Sequence, residues 1–202
     1  AAISTIDYAN TLYTIIVGVL VLSISNVIFP KMSRMTSNHA EKDFGETICI
    51  TLRSMLFLLI PMMLGLMVLS EPIVKLMYER GNFDSFATQT TARALFFFSL
   101  GMVVFGIQNI LSRAFYAKQD GKTPFYSGLV SIAANIIFCF LLVDKMDVGG
   151  LALASAISST LSALFLLVPL QKEYKNLIAK QNLTDLLKML CSAAMMTIVA
   201  ML

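Results

Sequence analysis

The chain alternates long apolar runs with short polar breaks. Ala94 to Leu111 carries no charge, and neither does Phe125 to Val143. Each run approaches the ~20 residues that a helix needs to cross a ~30 Å hydrocarbon layer. Between them lies a polar break, Arg113 to Pro124, read as RAFYAKQDGKTP. The same alternation predicts a first span from Thr11 to Phe29, ending at Pro30. A second runs from Ile48 to Leu69 with Pro61 near its middle, where a membrane helix tolerates a kink. Ser70 to Asp84 is too polar to span. Leu69, Ile73, Leu76 and Met77 recur there at helical spacing, so we read a short amphipathic helix on the outer interface. Ser70 is its expected cap, Pro72 sits in its first turn and Gly81 ends it. A third span covers Thr88 to Ser112, a fourth Pro124 to Val143 and a fifth Gly149 to Leu170. A tight turn from Asp144 to Asp147 separates the last two. A polar link, Gln171 to Asp185, leads to a sixth, truncated span from Leu186. The expected fold is all-α: a polytopic membrane helical bundle of five full helices and one truncated. A β-barrel would need ten-residue segments of alternating polarity, and these runs do not alternate.

The breaks differ in charge, which orients the bundle. Gly121 and Pro124 suggest a turn and a helix start inside RAFYAKQDGKTP. Arg113, Lys118 and Lys122 face one acid there, Asp120, and short basic loops stay in the cytoplasm. With this break inside, Lys31, Arg34, Lys42, Arg53, Arg113, Lys118, Lys122, Lys172, Lys175, Lys180 and Lys188 also fall inside. Lys75, Arg80, Arg93 and Lys145 fall outside. Eleven against four accounts for all fifteen basic residues, and the inverted topology would violate the positive-inside rule.

Composition agrees. Hydrophobic residues make up 57% and charged residues 13%, with a mean hydropathy of +0.79, against roughly 45–50% and 25% in soluble domains. The net charge of +3 is too small to suggest nucleic acid as a partner. Cys49, Cys139 and Cys191 lie in apolar runs without CxxC spacing and read as buried small hydrophobes. His39, the single histidine, sits in a polar loop beside Asn38 and Glu41. A proton relay would normally lie inside a span, so a solvated loop residue is the simpler reading. No nucleophile–base set, metal cluster or phosphate-cradling glycine loop is evident, which argues against an enzyme.

Four stretches in order carry a resemblance. DYANTL followed by SNVIFPKMS, then EPIVKLMYERGNFD, RAFYAKQDGKTP and GGLALASAIS are together similar to the MurJ/MviN family of lipid II flippases. That family sits within a superfamily of multidrug, oligosaccharidyl-lipid and polysaccharide exporters. The resemblance implies that residues 1–202 form one transmembrane domain, the second lobe of a larger two-lobed transporter whose amino-terminal lobe is its partner. It implies a multi-pass protein of the bacterial cytoplasmic membrane, moving lipid II or a related polyprenyl-pyrophosphate lipid by alternating access for cell-wall synthesis. A polysaccharide-lipid exporter or a cation-coupled drug exporter of the same superfamily is the alternative. No cofactor is implied, and sodium or proton coupling stays open.

The resemblance also selects residues. In many relatives the DYANTL position carries an Asp–Arg pair facing a central cavity, where a guanidinium fork suits pyrophosphate. Here those positions are Asn10 and Thr11. Arg53, one to two turns inside the second span, either snorkels to the interface or faces that cavity. Arg113 is expected at the inner rim. Asn135, in mid-span, and Ser155 match the positions of a sodium site in some relatives. Cys139 stands where that site has an acid, and a hard cation prefers oxygen. The competing reading is an interhelical hydrogen bond.

Overall fold

A computed structural model describes residues 2–80, 83–174, 189, 191–193 and 195–196. Its order is α1 (Ala2–Ser37), α2 (Glu41–Val68), α3 (Ser70–Tyr78), α4 (Ser85–Ala117) and α5 (Lys122–Glu173). There is no strand among the described residues. Five helical stretches are long and apolar enough to cross a membrane: 5–37, 41–68, 85–117, 122–143 and 149–173. The last two are limbs of α5, which doubles back on itself. Ser127 bonds to Ser162, and Asn135 to Ser155 and Ser158, a pairing that only an antiparallel hairpin can make. The limbs approach closely at the reversal. A Cβ built on Gly150 would lie 2.5 Å from the Leu142 carbonyl oxygen, and one on Gly149 would lie 2.8 Å from the Phe97 ring. Gly150, set against backbone, is therefore required by space, whereas a side chain at Gly149 would have to displace the Phe97 ring. The sixth span, and Lys175, Lys180 and Lys188, lie outside the described residues but for the short pieces named above.

Helix ends depart from the sequence reading. α1 does not stop at Pro30 but continues to Ser37. A proline removes one helical donor and crowds the carbonyl four residues back, here that of Asn26. Both residues are exposed, so that carbonyl is not sealed into the core. The real turn is at 38–40. Ala40 N–H bonds to Met35 O at 3.0 Å and His39 N–H to Thr36 O at 3.2 Å, with His39 at φ 54°. This is a Schellman closure, with exposed His39 as its left-handed residue.

α3 is amphipathic, but Ser70 does not cap it. The Ser70 hydroxyl donates back to Met67 O, and Leu69 occupies the capping position. Val74 is the buried anchor, packed near Leu12, Ala92 and Leu95. Leu76 faces outward, 83% exposed. The helix ends at Tyr78, and Gly81 is not among the described residues.

α4 packs on α1, α2, α3 and α5 and is the most buried span. Asp84 starts it, accepting from Ala87 N–H at 2.8 Å. The main core gathers Val17, Met32, Phe44, Ile48, Met55, Leu59, Met102, Ile110, Leu111 and Leu166. Gly101 lets α4 meet the second limb of α5 almost at backbone distance, as small residues do between membrane helices. The first limb turns Phe125, Leu129, Ile132, Ile136, Ile137 and Phe140 outward, as a lipid-facing helix would.

Candidate functional site

Asn10 and Thr11 are on an exposed face of α1. Thr11 donates its hydroxyl to Asp7 O at 2.7 Å, and Thr14 donates to Asn10 Oδ1 at 3.5 Å. With Asp7 they form a polar, accessible patch at the amino-terminal end of α1. None of them is committed to bundle packing.

The two arginines lie elsewhere. The Arg113 guanidinium sits 5.7 Å from the Phe29 ring centroid, a cation–π contact. Phe29 is 18 residues beyond Thr11, or about 27 Å along α1. Arg53 is exposed on α2. Thr47 on α2 contacts Met35 on α1, and α2 runs antiparallel to α1. Six residues on, about 9 Å, Arg53 is level with Phe29. The bundle thus brings Arg53 and Arg113 to one level and leaves Asn10 and Thr11 far from both.

Asn135 and Ser155 do meet. Asn135 Nδ2 donates to Ser155 Oγ at 3.3 Å and to Ser158 Oγ at 3.4 Å, and the Cys139 thiol donates to Asn135 Oδ1 at 3.6 Å. The amide nitrogen, not its oxygen, faces the hydroxyls. These bonds tie the two limbs of α5 together at mid-span. Among the described residues no group of His, Cys, Asp and Glu could hold a metal.

Sequence reading missed a second polar system in α4. Gln108 donates to Ser162 Oγ at 2.8 Å, and Ser162 also bonds Ser127. Neighbouring Asn109 accepts from the buried Ser25 hydroxyl at 2.8 Å. One α4 dipeptide therefore ties α1 on one side to both limbs of α5 on the other. The signal was visible: two adjacent amides inside the run 94–111, which is otherwise apolar but for Ser99 and two glycines. Buried polar groups in lipid default to having partners.

RAFYAKQDGKTP builds a turn. Asp120 N–H bonds to Phe115 O and Gln119 N–H to Tyr116 O, both at 3.0 Å, with Gln119 at φ 62°. Gln119, not Gly121, is the left-handed residue. Gly121 is right-handed at φ −87°, and Pro124 falls in the third helical position rather than the first. Asp120 closes the next helix: its carboxylate accepts from Lys122 N–H at 3.0 Å, Thr123 N–H at 3.2 Å and the Thr123 hydroxyl at 2.6 Å. The Thr123 hydroxyl bond, foremost, holds the Asp120 carboxyl below its usual range. Phe115 and Ala117 are buried beneath. Lys118 pairs with Glu173 and lies 5.5 Å from the Tyr174 ring centroid. Burial pushes the Tyr174 hydroxyl up to about 12, with Glu173 adding to the shift.

Charge divides between the ends. Lys31, Arg34, Lys42, Arg53, Arg113, Lys118, Lys122 and Lys172 belong to the half with the 38–40 and 118–121 turns. Lys75, Arg80 and Arg93 belong to the other, where Tyr8 packs on Tyr78 and Phe83.

The chain matches known proteins along its length. The family model described as lipid II flippase MurJ matches residues 1–202. A lipid II flippase MurJ from Thermosipho africanus is 33% identical over 162 residues, 80% of this chain and 33% of that protein. A probable lipid II flippase MurJ from Thermotoga maritima is 30% identical over 201 residues, 100% of this chain and 40% of that protein. A solved structure titled lipid II flippase MurJ, inward closed conformation, superposes with a TM-score of 0.85 at 30% identity, over 98% of this chain and 40% of that one. The chain thus spans about two fifths of the length of such relatives. An all-helical bundle of membrane-length helices, with motifs in this order and a family match from end to end, leads to one assignment: the chain belongs to the MurJ family of lipid II flippases.

Proposed function

We propose that the whole protein is a lipid II flippase of the bacterial cytoplasmic membrane, a transporter and not an enzyme, and that residues 1–202 form part of its second lobe. The observation that carries this reading is the family match over the entire chain. The geometry is compatible with alternating access. The exposed polar patch of α1 lines the substrate path, and the lobe that completes the path is the partner of this one. The half bearing most of the cations faces the cytoplasm. Arg53 and Arg113 meet the anionic head near that face. Asn10 and Thr11 offer it neutral hydrogen bonds further on, roughly half as strong as charge-assisted ones. An anion cannot be stripped of water without cationic partners, so the other lobe contributes most of the cations at membrane depth. The Asn135 cluster acts as a tie between the limbs of α5.

The test is rescue of bacteria depleted of their own lipid II flippase by the full-length protein. Wild type should restore growth. Thr11→Arg should be tolerated, because the path accommodates an anion. Thr11→Glu or Asn10→Glu should abolish rescue by repulsion while the protein still reaches the membrane. Undiminished rescue by Thr11→Glu would remove Thr11 from the substrate path. Failure of wild type to rescue would count against lipid II itself and favour another exporter of the superfamily.

A further inference from the structure

The inner end of α1, beyond Pro30, leans over the start of α2 and leaves a cleft of about 470 Å³ between them. Its lining joins apolar Val27, Pro30 and Met35 to polar Lys31, Arg34, Asn38 and Asp43. Val27 is 77% exposed. Neither Lys31 nor Arg34 has a carboxylate partner among the described residues. Both cations are exposed and neither packs into the core, so folding does not require them.

We propose that this cleft binds the phosphodiester head of an anionic membrane glycerophospholipid in the inner leaflet. The location rests on the orientation proposed above, which puts the cleft at the cytoplasmic boundary of the membrane. Arg34 can present its planar fork to two phosphate oxygens, and Lys31 adds a point charge one turn away on the same helix. Asn38, one turn past Arg34, supplies a neutral donor to the glycerol or head-group oxygens. Val27 and Pro30 lie toward the membrane interior on α1, where the first carbons of the acyl chains would run. Asp43 sets the charge limit. Two cations against one carboxylate leave the walls a net +1, which matches a single phosphodiester and disfavours a more highly charged phosphate. Juxtamembrane basic groups favour anionic lipids in this way. The cleft differs from the substrate path of the preceding section: it involves neither Asn10 nor Thr11, and neither Arg53 nor Arg113.

The experiment is native mass spectrometry of the full-length protein released from detergent micelles containing phosphatidylglycerol, phosphatidylcholine or neither, with inorganic phosphate as a competitor. Lipid retention in micelles requires neither a known orientation nor transport, so its result is independent of growth rescue. Wild type should retain phosphatidylglycerol in preference to phosphatidylcholine. Lys31→Ala with Arg34→Ala should lower phosphatidylglycerol retention about tenfold and leave phosphatidylcholine unchanged. Asp43→Asn should raise it. Lys42→Ala, one residue from Asp43 but outside the cleft wall, should not change it. All four sites are exposed, and an unchanged melting temperature shows that each variant is folded. Unchanged phosphatidylglycerol retention in the double variant would overturn the proposal. So would displacement of the lipid by millimolar inorganic phosphate, which would show an ion site indifferent to the acyl chains. Equal retention of phosphatidylcholine by wild type would overturn it too, by removing the charge selectivity.

Discussion

A methyl group at Gly101 tests how tightly α4 and the second limb of α5 are packed. A Cβ there would lie 3.2 Å from the Ala156 Cβ, 3.3 Å from its Cα and 3.9 Å from its nitrogen. Carbon pairs prefer about 3.5–4.0 Å. Backbone atoms cannot rotate aside, so the two helices must separate by a few tenths of an ångström. A gap of ~0.5–1 Å forfeits about a quarter to a half of each contact along the seam, and overpacking of this kind costs about 1–3 kcal/mol. Exchanging glycine for alanine within a helix returns up to about 1 kcal/mol. The net expectation for Gly101→Ala is a loss of about 0.5–2 kcal/mol. Gly18 and Gly65 provide the control, because a Cβ on either meets nothing within 4 Å. Gly18→Ala and Gly65→Ala carry the propensity gain without the clash and should be neutral or stabilising. Thermal melts followed by circular dichroism in detergent should therefore rank Gly101→Ala below both. Adding Ala156→Gly should recover part of the loss, a coupling above about 0.5 kcal/mol. A Gly101→Ala protein that melts with Gly18→Ala, and gains nothing from Ala156→Gly, would refute the close approach.

Three further outcomes follow from the turn around Asp120. Gly121 is right-handed with nothing within 4 Å, so cysteine fits there. In intact cells, with all native cysteines replaced, Gly121→Cys should resist a membrane-impermeant thiol reagent, and ready labelling would invert the proposed orientation. Gln119→Gly removes the strain of a left-handed glutamine and should raise stability by about 0.5–1 kcal/mol; a lower melting temperature would contradict the left-handed placement of Gln119. Asp120→Ala should cost about 1 kcal/mol at neutral pH, as loss of a helix cap does. The Asp120 pKa is lowered from 3.8, so its contribution is complete above that value and disappears as pH falls through the lower folded value. Wild type and Asp120→Ala should therefore converge in melting temperature in strong acid, and a gap that stays constant below pH 3 would remove the carboxylate from the account.

The spans and their order were legible because lipid imposes a simple demand: about 20 apolar residues per crossing. Helix ends were less legible. Hydropathy records what a side chain touches, whereas a helix ends where backbone hydrogen bonds find other partners. Pro30 looked like a stop and is not one, because α1 continues to Ser37 with the affected carbonyl on an exposed face. Gly121 looked like the turn residue, but the hydrogen bonds put Gln119 in the left-handed position. Ser70 looked like a cap but bonds backward. At the candidate site, pairing of Asn135 with Ser155 was predictable because the resemblance placed both on adjacent helices. Gln108 and Asn109 were not singled out, since an uncharged run reads as featureless until its neighbours are known.

Those two amides bear on how these helices can move. Asn109 reaches α1 through Ser25, and Gln108 reaches both limbs of α5 through Ser162. Interhelical hydrogen bonds in membranes average only about 0.6 kcal/mol, so the network does not hold the bundle together by strength. Its effect is geometric. Sliding α4 by one residue, about 1.5 Å along its axis, would break bonds on opposite sides at once and leave amides and hydroxyls without partners in an apolar layer. Small residues along the same helix, Gly101 and Gly106, permit close contact with the second limb of α5 and with Met55 and Leu59 of α2. Close packing sets the distance between the helices, and the amides set their register. If the whole protein works by the alternating access proposed above, α1, α4 and α5 move as one body, and the exposed patch at Asn10 and Thr11 moves with the frame that supports it.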